Sequence, residues 1–143
     1  MSQKTRVLIS SEAFSPWESL DNWLEDAAAS AIFIGRVRDQ SWEGNPLQTL
    51  ELTHYPGMCE RQIHMSAEVL LRKHKAISAL VVHRVGQLVP GEVILLVAVA
   101  ADHRGQAQRC CTALLESLKH EAPFWKRECC DSRSRWLTDN TEL

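Results

Sequence analysis

Glu92-Val93-Ile94-Leu95-Leu96-Val97-Ala98-Val99-Ala100-Ala101 runs directly into Asp102-His103-Arg104-Gly105, and this junction decides the fold. The first stretch is almost wholly apolar and of strand length, which suits a central strand covered on both faces. It holds the longest apolar run in the chain and is far too short to span a membrane. Past Gly105 the apolar period changes. Ala107, Cys111, Leu114, Leu115 and Leu118 fall on one side of a helix that Pro123 should end. A buried strand that gives way to an amphipathic helix leaves a polar turn, here carrying a histidine and an arginine, at the rim of the core.

Outward from that junction the remaining elements follow. Ile77 to Val85 reads as another strand, followed by the turn residues Gly86, Pro90 and Gly91. Ile63, Ala67, Leu70, Leu71 and His74 mark one face of a second helix. Before it, Leu50 and Leu52 alternate in a strand that stops at Tyr55-Pro56-Gly57. Ala31 to Arg38 is a strand ending in basic residues, and Asp39 to Pro46 is a polar loop. Val7 to Ile9 is a short strand. Ser15 then reads as an N-cap, with Pro16 at the first helical position and Glu18 closing a capping box. Trp17, Leu20, Leu24 and Ala27 carry that helix to about Ala29. Phe124–Glu128 and Arg135–Leu137 are short and extended.

Strands and helices interleave without a clean β-α-β repeat, and the loops at Asp39–Pro46 and Gly86–Gly91 have the look of hairpins. The expected class is α+β, with helices packed on a mixed or mostly antiparallel sheet. No repeat or linker interrupts residues 1–143, so one domain is expected, large enough to bury roughly two thirds of its unfolded surface.

Composition narrows the function. A formal charge of -2 offers no bulk attraction to polyanions, which argues against nucleic acid while leaving room for a local basic pocket. The N-terminus has only three apolar residues after Arg6, too few for a signal peptide, and the expected location is the cytoplasm. Four of the five cysteines are sequence neighbours, Cys110-Cys111 and Cys129-Cys130, which make poor disulfide staples. Buried structural thiols are the expected reading. Neither a Cys-x-x-Cys pair nor a familiar histidine spacing suggests a metal.

Three basic clusters carry the chemistry. Arg36 and Arg38 end a strand; His103 and Arg104 open a helix; Lys119, His120, Lys126 and Arg127 surround Pro123. Free N–H groups at a helix start favour phosphate or carboxylate, and a guanidinium binds oxyanions in two-pronged fashion. The plain alternative at His103-Arg104 is a solvated helix start. Lys119 likewise has two readings. It is a C-terminal charge that complements the helix dipole, or, crowded or buried, an acid–base group.

Taken together, these stretches resemble the MoaE family, the large subunit of molybdopterin synthase. The resemblance rests on His103-Arg104 followed by Lys119-His120-Glu121-Ala122-Pro123-Phe124-Trp125-Lys126-Arg127-Glu128. Phe33 to Arg38, His54 to Met58 and His83 to Glu92 match further family stretches in the same order. It implies an α/β hammerhead-type fold and a homodimer with a small ubiquitin-like sulfur-carrier subunit at each end, giving a heterotetramer. The substrate so implied is cyclic pyranopterin monophosphate. Two sulfur atoms would come from the partner's C-terminal thiocarboxylate, so neither a cofactor nor a catalytic cysteine is required. Lys119 and Lys126 match the family's catalytic lysines, and Arg38, His103 and Arg104 its substrate-binding groups. Phe33 and Met58 either shape the pocket or pack in the core, with core packing the expected role.

The spacing adds one expectation. From Arg104 to Lys119 is 119 − 104 = 15 residues, about 22 Å along a straight helix. That is too far for both to touch one small substrate from a single chain. A site shared across a two-fold axis follows, with Lys119 and Lys126 from one subunit and His103 and Arg104 from the other. Two departures stand out. Gln108 replaces the family's usual aromatic, a change expected to affect packing, and the short tail leaves only Arg133 or Arg135 as a further basic group. Two rivals remain: a cysteine persulfide carrier beside Lys126 and Arg127, and a module that only docks a ubiquitin-like tail.

Overall fold

The computed structural model of the protein describes residues 5–23, 26–41, 44–122 and 124–130, and the backbone of 133–137. Strand β1 (Thr5–Ser10) leads to helix α1 (Pro16–Trp23), β2 (Ala29–Arg36) and β3 (Thr49–His54). Helix α2 (Met58–His74) is followed by β4 (Ser78–Arg84), β5 (Gly86–Leu88) and β6 (Val93–Ala101). Helix α3 (Arg104–Glu121) then returns the chain to β7 (Phe124–Cys130) and β8 (Arg133–Leu137).

The strands form two sheets. The first has the order β1-β4-β6-β2 and is mixed, because β1 runs parallel to β4 while the other pairs are antiparallel. The second, β5-β3-β7-β8, is antiparallel throughout. The α+β expectation holds, with two sheets where the sequence suggested one.

The apolar stretch at Val93–Ala101 lies between β4 and β2, and its second half is fully buried. Helices α2 and α3 cover one face: Ile63, Ala67, Leu71, Cys110, Leu114 and Leu118 pack on Val81, Val97 and Val99. The other face, Leu80, Val82, Leu96 and Ala98, is covered by Leu20 and Trp23 of α1. Each helix therefore needs only one apolar stripe, whereas β4 and β6 must be apolar on both sides. Among the described residues no helix is long and apolar enough to cross a membrane.

Several expectations need correction. Helix α1 was expected to reach Ala29, but Ala29 already pairs with Ala101 as the first residue of β2; Leu24 lies outside the described residues. Strand pairing there satisfies the backbone that a longer helix would have claimed. Ser15 caps its start as expected: the Glu18 N–H donates to Ser15 Oγ at 3.3 Å. The loop at Asp39–Pro46 does close on itself, since the Leu47 N–H donates to Asp39 O at 2.9 Å. An antiparallel bridge between Gln40 and Pro46 makes it a local hairpin, as expected, although β2 and β3 on either side belong to different sheets. The Gly86–Gly91 stretch joins the antiparallel neighbours β4 and β6, but on the way it contributes β5 to the second sheet. Arg84 Nη1 and Glu92 Oε2, 2.7 Å apart, close the base of that excursion. Phe33 and Met58, expected in the core, are 40% and 54% exposed. Pro123 lies outside the described residues; α3 ends at Glu121 with Ala122 extended.

Candidate active site

Strand alternation sorts the residues of β7. Phe124, Lys126 and Glu128 share one face and stand opposite His54, Leu52 and Leu50 of β3. Leu50 and Leu52 are core residues, so this face looks inward. Trp125 and Arg127 point the other way. The Arg127 guanidinium is held by Glu51 at 2.7 Å, and Trp125 meets Tyr55 edge-on at 4.9 Å. The basic run around Pro123 is thereby split by a period of two. His120 is separated as well: it is exposed and lies 3.5 Å from Glu116, one turn back on α3.

Lys126, half-buried over Leu52, is the centre of what remains. Burial, then the positive charges of Lys119 and Arg38, lower its pKa from the ordinary lysine value, and Glu128 pulls weakly the other way. Removing an ammonium from water penalises its charged form, and neighbouring cations add to that penalty. Three cations from three separate stretches thus crowd one spot. Lys119 arrives on the last turn of α3, which runs back over the first sheet to meet β7. Arg38 lies two residues beyond β2, where the β2–β6 register shifts between Gly35 and Arg36. Val37, pinned to Glu92 O and Gly91 N at 2.9 Å each, is buried, and its neighbours Arg36 and Arg38 are exposed. Bulges of this kind re-aim a strand end. Such a cationic concentration attracts an anion.

Aromatic rings form the inner wall. His83, at the end of β4, lies flat on Phe124 with ring centroids 3.9 Å apart and 15° between planes. His54 stacks more loosely on Phe124, at 6.3 Å. Burial lowers the His83 pKa to about 4, so the ring is neutral at physiological pH. The sequence reading overlooked His83 as a site residue. The available signal was a histidine on a strand, Ser78–Arg84, that is buried on both faces.

His103 and Arg104 lie elsewhere. His103 is the extended N-cap of α3, its side chain does not cap the helix, and no acidic residue occupies the first turn. Both side chains are exposed. They begin the 18-residue helix that Lys119 nearly ends, about 22 Å apart at 1.5 Å per residue. The chain therefore brings Arg38, Lys119 and Lys126 together and leaves His103 and Arg104 at a second pole. Arg109 joins that pole unanticipated: its guanidinium covers Gly105, where an added Cβ would sit 2.8 Å from Nη1. The four-residue spacing on a helix was the signal available. Gln108 is exposed, so its departure from the family pattern leaves the core untouched. The Arg133 and Arg135 side chains lie outside the described residues.

Cys59, Cys110, Cys111 and Cys130 are buried free thiols and Cys129 is half-buried. Burial pushes the thiols of Cys59, Cys110 and Cys111 up to about 11, which leaves them protonated and unreactive near neutrality.

Comparison with known proteins identifies the family. Residues 9–121 match the family model described as "MoaE protein". A molybdopterin synthase catalytic subunit from Ralstonia nicotianae is 45% identical over 109 residues, which are 76% of this chain and 61% of that protein. The chain thus spans less than two thirds of that relative. The catalytic subunit from Cereibacter sphaeroides is 42% identical over 135 residues, covering 92% of this chain and 90% of its own. Among solved structures, molybdopterin synthase from Staphylococcus aureus superposes with a TM-score of 0.82 at 25% identity, covering 96% and 98% of the two chains. A Helicobacter pylori complex of subunits 1 and 2 of molybdopterin-converting factor, 21% identical, shares the fold at a TM-score of 0.75 over 94% and 92%.

Proposed function

The chain belongs to the MoaE family, and we propose that it is the large catalytic subunit of a molybdopterin synthase. In this reading it converts cyclic pyranopterin monophosphate to molybdopterin by two sulfur transfers. A small ubiquitin-like subunit delivers the sulfur as a C-terminal thiocarboxylate. The observation that carries the reading is the convergence of Arg38, Lys119 and Lys126 beside the wall formed by His83 and Phe124.

Each transfer forms one carbon–sulfur bond on the pterin side chain and breaks one carbon–oxygen bond there, the cyclic phosphate ester at one carbon and, at its neighbour, an oxygen that leaves as water. Water then releases the partner's tail as a carboxylate, and protons must be moved at both stages. Lys126, its pKa lowered, supplies a free amine more readily than an ordinary lysine, which suits it to that traffic. Lys119 and Arg38 lend positive charge to the thiocarboxylate and to the phosphate oxygens as the cyclic ester opens. The pterin phosphate is substrate, and no cofactor takes part. Two copies of the chain pair about a two-fold axis, so that His103 and Arg104 of one reach the cavity of the other, and a small subunit docks at each end. The assembly works in the cytoplasm.

The test is reconstitution. The purified chain is mixed with a thiocarboxylated small subunit and the cyclic pterin phosphate, and dithiolene product is assayed. Lys119→Ala should lower turnover about 100-fold or more while docking persists. Intact turnover would instead mark a docking module. Cys129→Ser, which removes the least buried thiol, should turn over normally; loss of activity in that folded variant would favour a persulfide carrier.

A further inference from the structure

His83 stands apart from the basic groups and is not needed as a packing residue. A leucine or phenylalanine would fill the end of a strand whose other inward residues are Ala79 and Val81. Instead the position carries a polar ring, 7% exposed, beside the site. A buried imidazole must find a hydrogen bond or lose stability. His83 finds one at the adjacent residue, where Nδ1 lies 2.7 Å from Arg84 O. A carbonyl only accepts, so Nδ1 carries the proton and Nε2 keeps a lone pair. Arg84 is itself fixed to Glu92. The ring is thus pinned along one edge and stacked on Phe124 across one face. Phe124 and Lys126 are i and i+2 on the same face of β7, so the flat His83–Phe124 pair adjoins the lysine.

We propose that His83 is a positioning residue for Lys126: its pinned ring, stacked on Phe124, walls one flank of the lysine off from water. The proposal rests on the reading of Lys126 as the proton carrier, and goes beyond it by naming what keeps that lysine dry. Burial is the largest of the effects that lower the Lys126 pKa, and Lys126 and His54 both oppose a charge on His83. The charged and titratable groups around the lysine are Lys119 of α3, Arg38 after β2, Glu128 of β7 and His83 of β4. His54 faces it from β3 through the same stack. A neutral ring adds no charge to that set, so its part is to exclude water.

Two variants separate the stack from the hydrogen bond. His83→Phe keeps a flat ring on Phe124 and loses the bond to Arg84 O. His83→Asn keeps a donor near the Nδ1 position and loses the stack. Competitive amine labelling with acetic anhydride, read at Lys126 by peptide mass spectrometry over a pH series, reports the lysine directly in the chain alone. Circular dichroism confirms that each variant is folded. His83→Asn should move the labelling midpoint of Lys126 upward by about one pH unit, a tenfold loss of free amine at neutral pH. His83→Phe should leave the midpoint in place. In the reconstituted reaction the kcat profile of His83→Asn should move the same way, with KM for the pterin unchanged. An unmoved midpoint in His83→Asn, or an equal shift in His83→Phe, overturns the proposal. Full turnover by Lys126→Ala would instead sink the proton-carrier reading, and the labelling result would still decide the role of His83.

Discussion

Arg104→Ala and Lys119→Ala, made in separate chains and then mixed, put the shared site to a quantitative test. The two positions are 15 residues apart on α3, about 22 Å, which exceeds the reach of one pterin monophosphate. Each variant alone should lose about 100-fold in turnover, since each removes a charge or proton carrier from every cavity. After subunit exchange, random pairing makes half of the dimers mixed. In a mixed dimer one cavity receives both substitutions and the other receives neither. One cavity in four overall is then intact, so activity should recover to about one quarter of wild type. Equal amounts of the two variants are exchanged, mixed dimers are verified by native mass spectrometry, and dithiolene formation is followed with saturating small subunit. Activity that stays at the level of the parents, with mixed dimers present, would refute the shared cavity and place each complete site within one chain.

Arg127→Ala should leave turnover near wild type and change stability little, because its guanidinium is committed to Glu51 on the far face of β7; urea melts and the same assay check both. Lowering the pH should destabilise the fold through His83. The unfolded ring titrates near 6.5 and the folded one near 4, so stability is intact above pH 6.5 and about 3 kcal/mol is lost as the pH falls to 4. His83→Phe should flatten that part of the curve, and denaturant unfolding at stepped pH tests it. Leu114→Ala, 1% exposed between α2 and the first sheet, should cost about 2–5 kcal/mol by urea titration without altering the pH profile of turnover.

Much of this protein was legible in consecutive residues, because periodicity is local. The near-continuous apolar run at Val93–Ala101 marked a strand covered on both sides, and Ala107, Leu114 and Leu118 marked the helix over it. The words around His103-Arg104 and Lys119 to Glu128 pointed to the family, and helical rise alone set Arg104 and Lys119 apart. The sequence could not say which strand pairs with which, because that depends on contacts between distant residues. Tertiary structure split the strands into two sheets, set the Asp39–Pro46 hairpin between strands of different sheets, and sent the β4–β6 connection through β5 of the second sheet. It also chose among the cations: a period of two sent Arg127 to Glu51, and a register shift after Gly35 accompanied Arg38 to Lys126. Only folding set His83 against Phe124 from a different sheet. A side chain's type is written in the chain, but its dielectric surroundings and charged neighbours exist only once remote segments have packed.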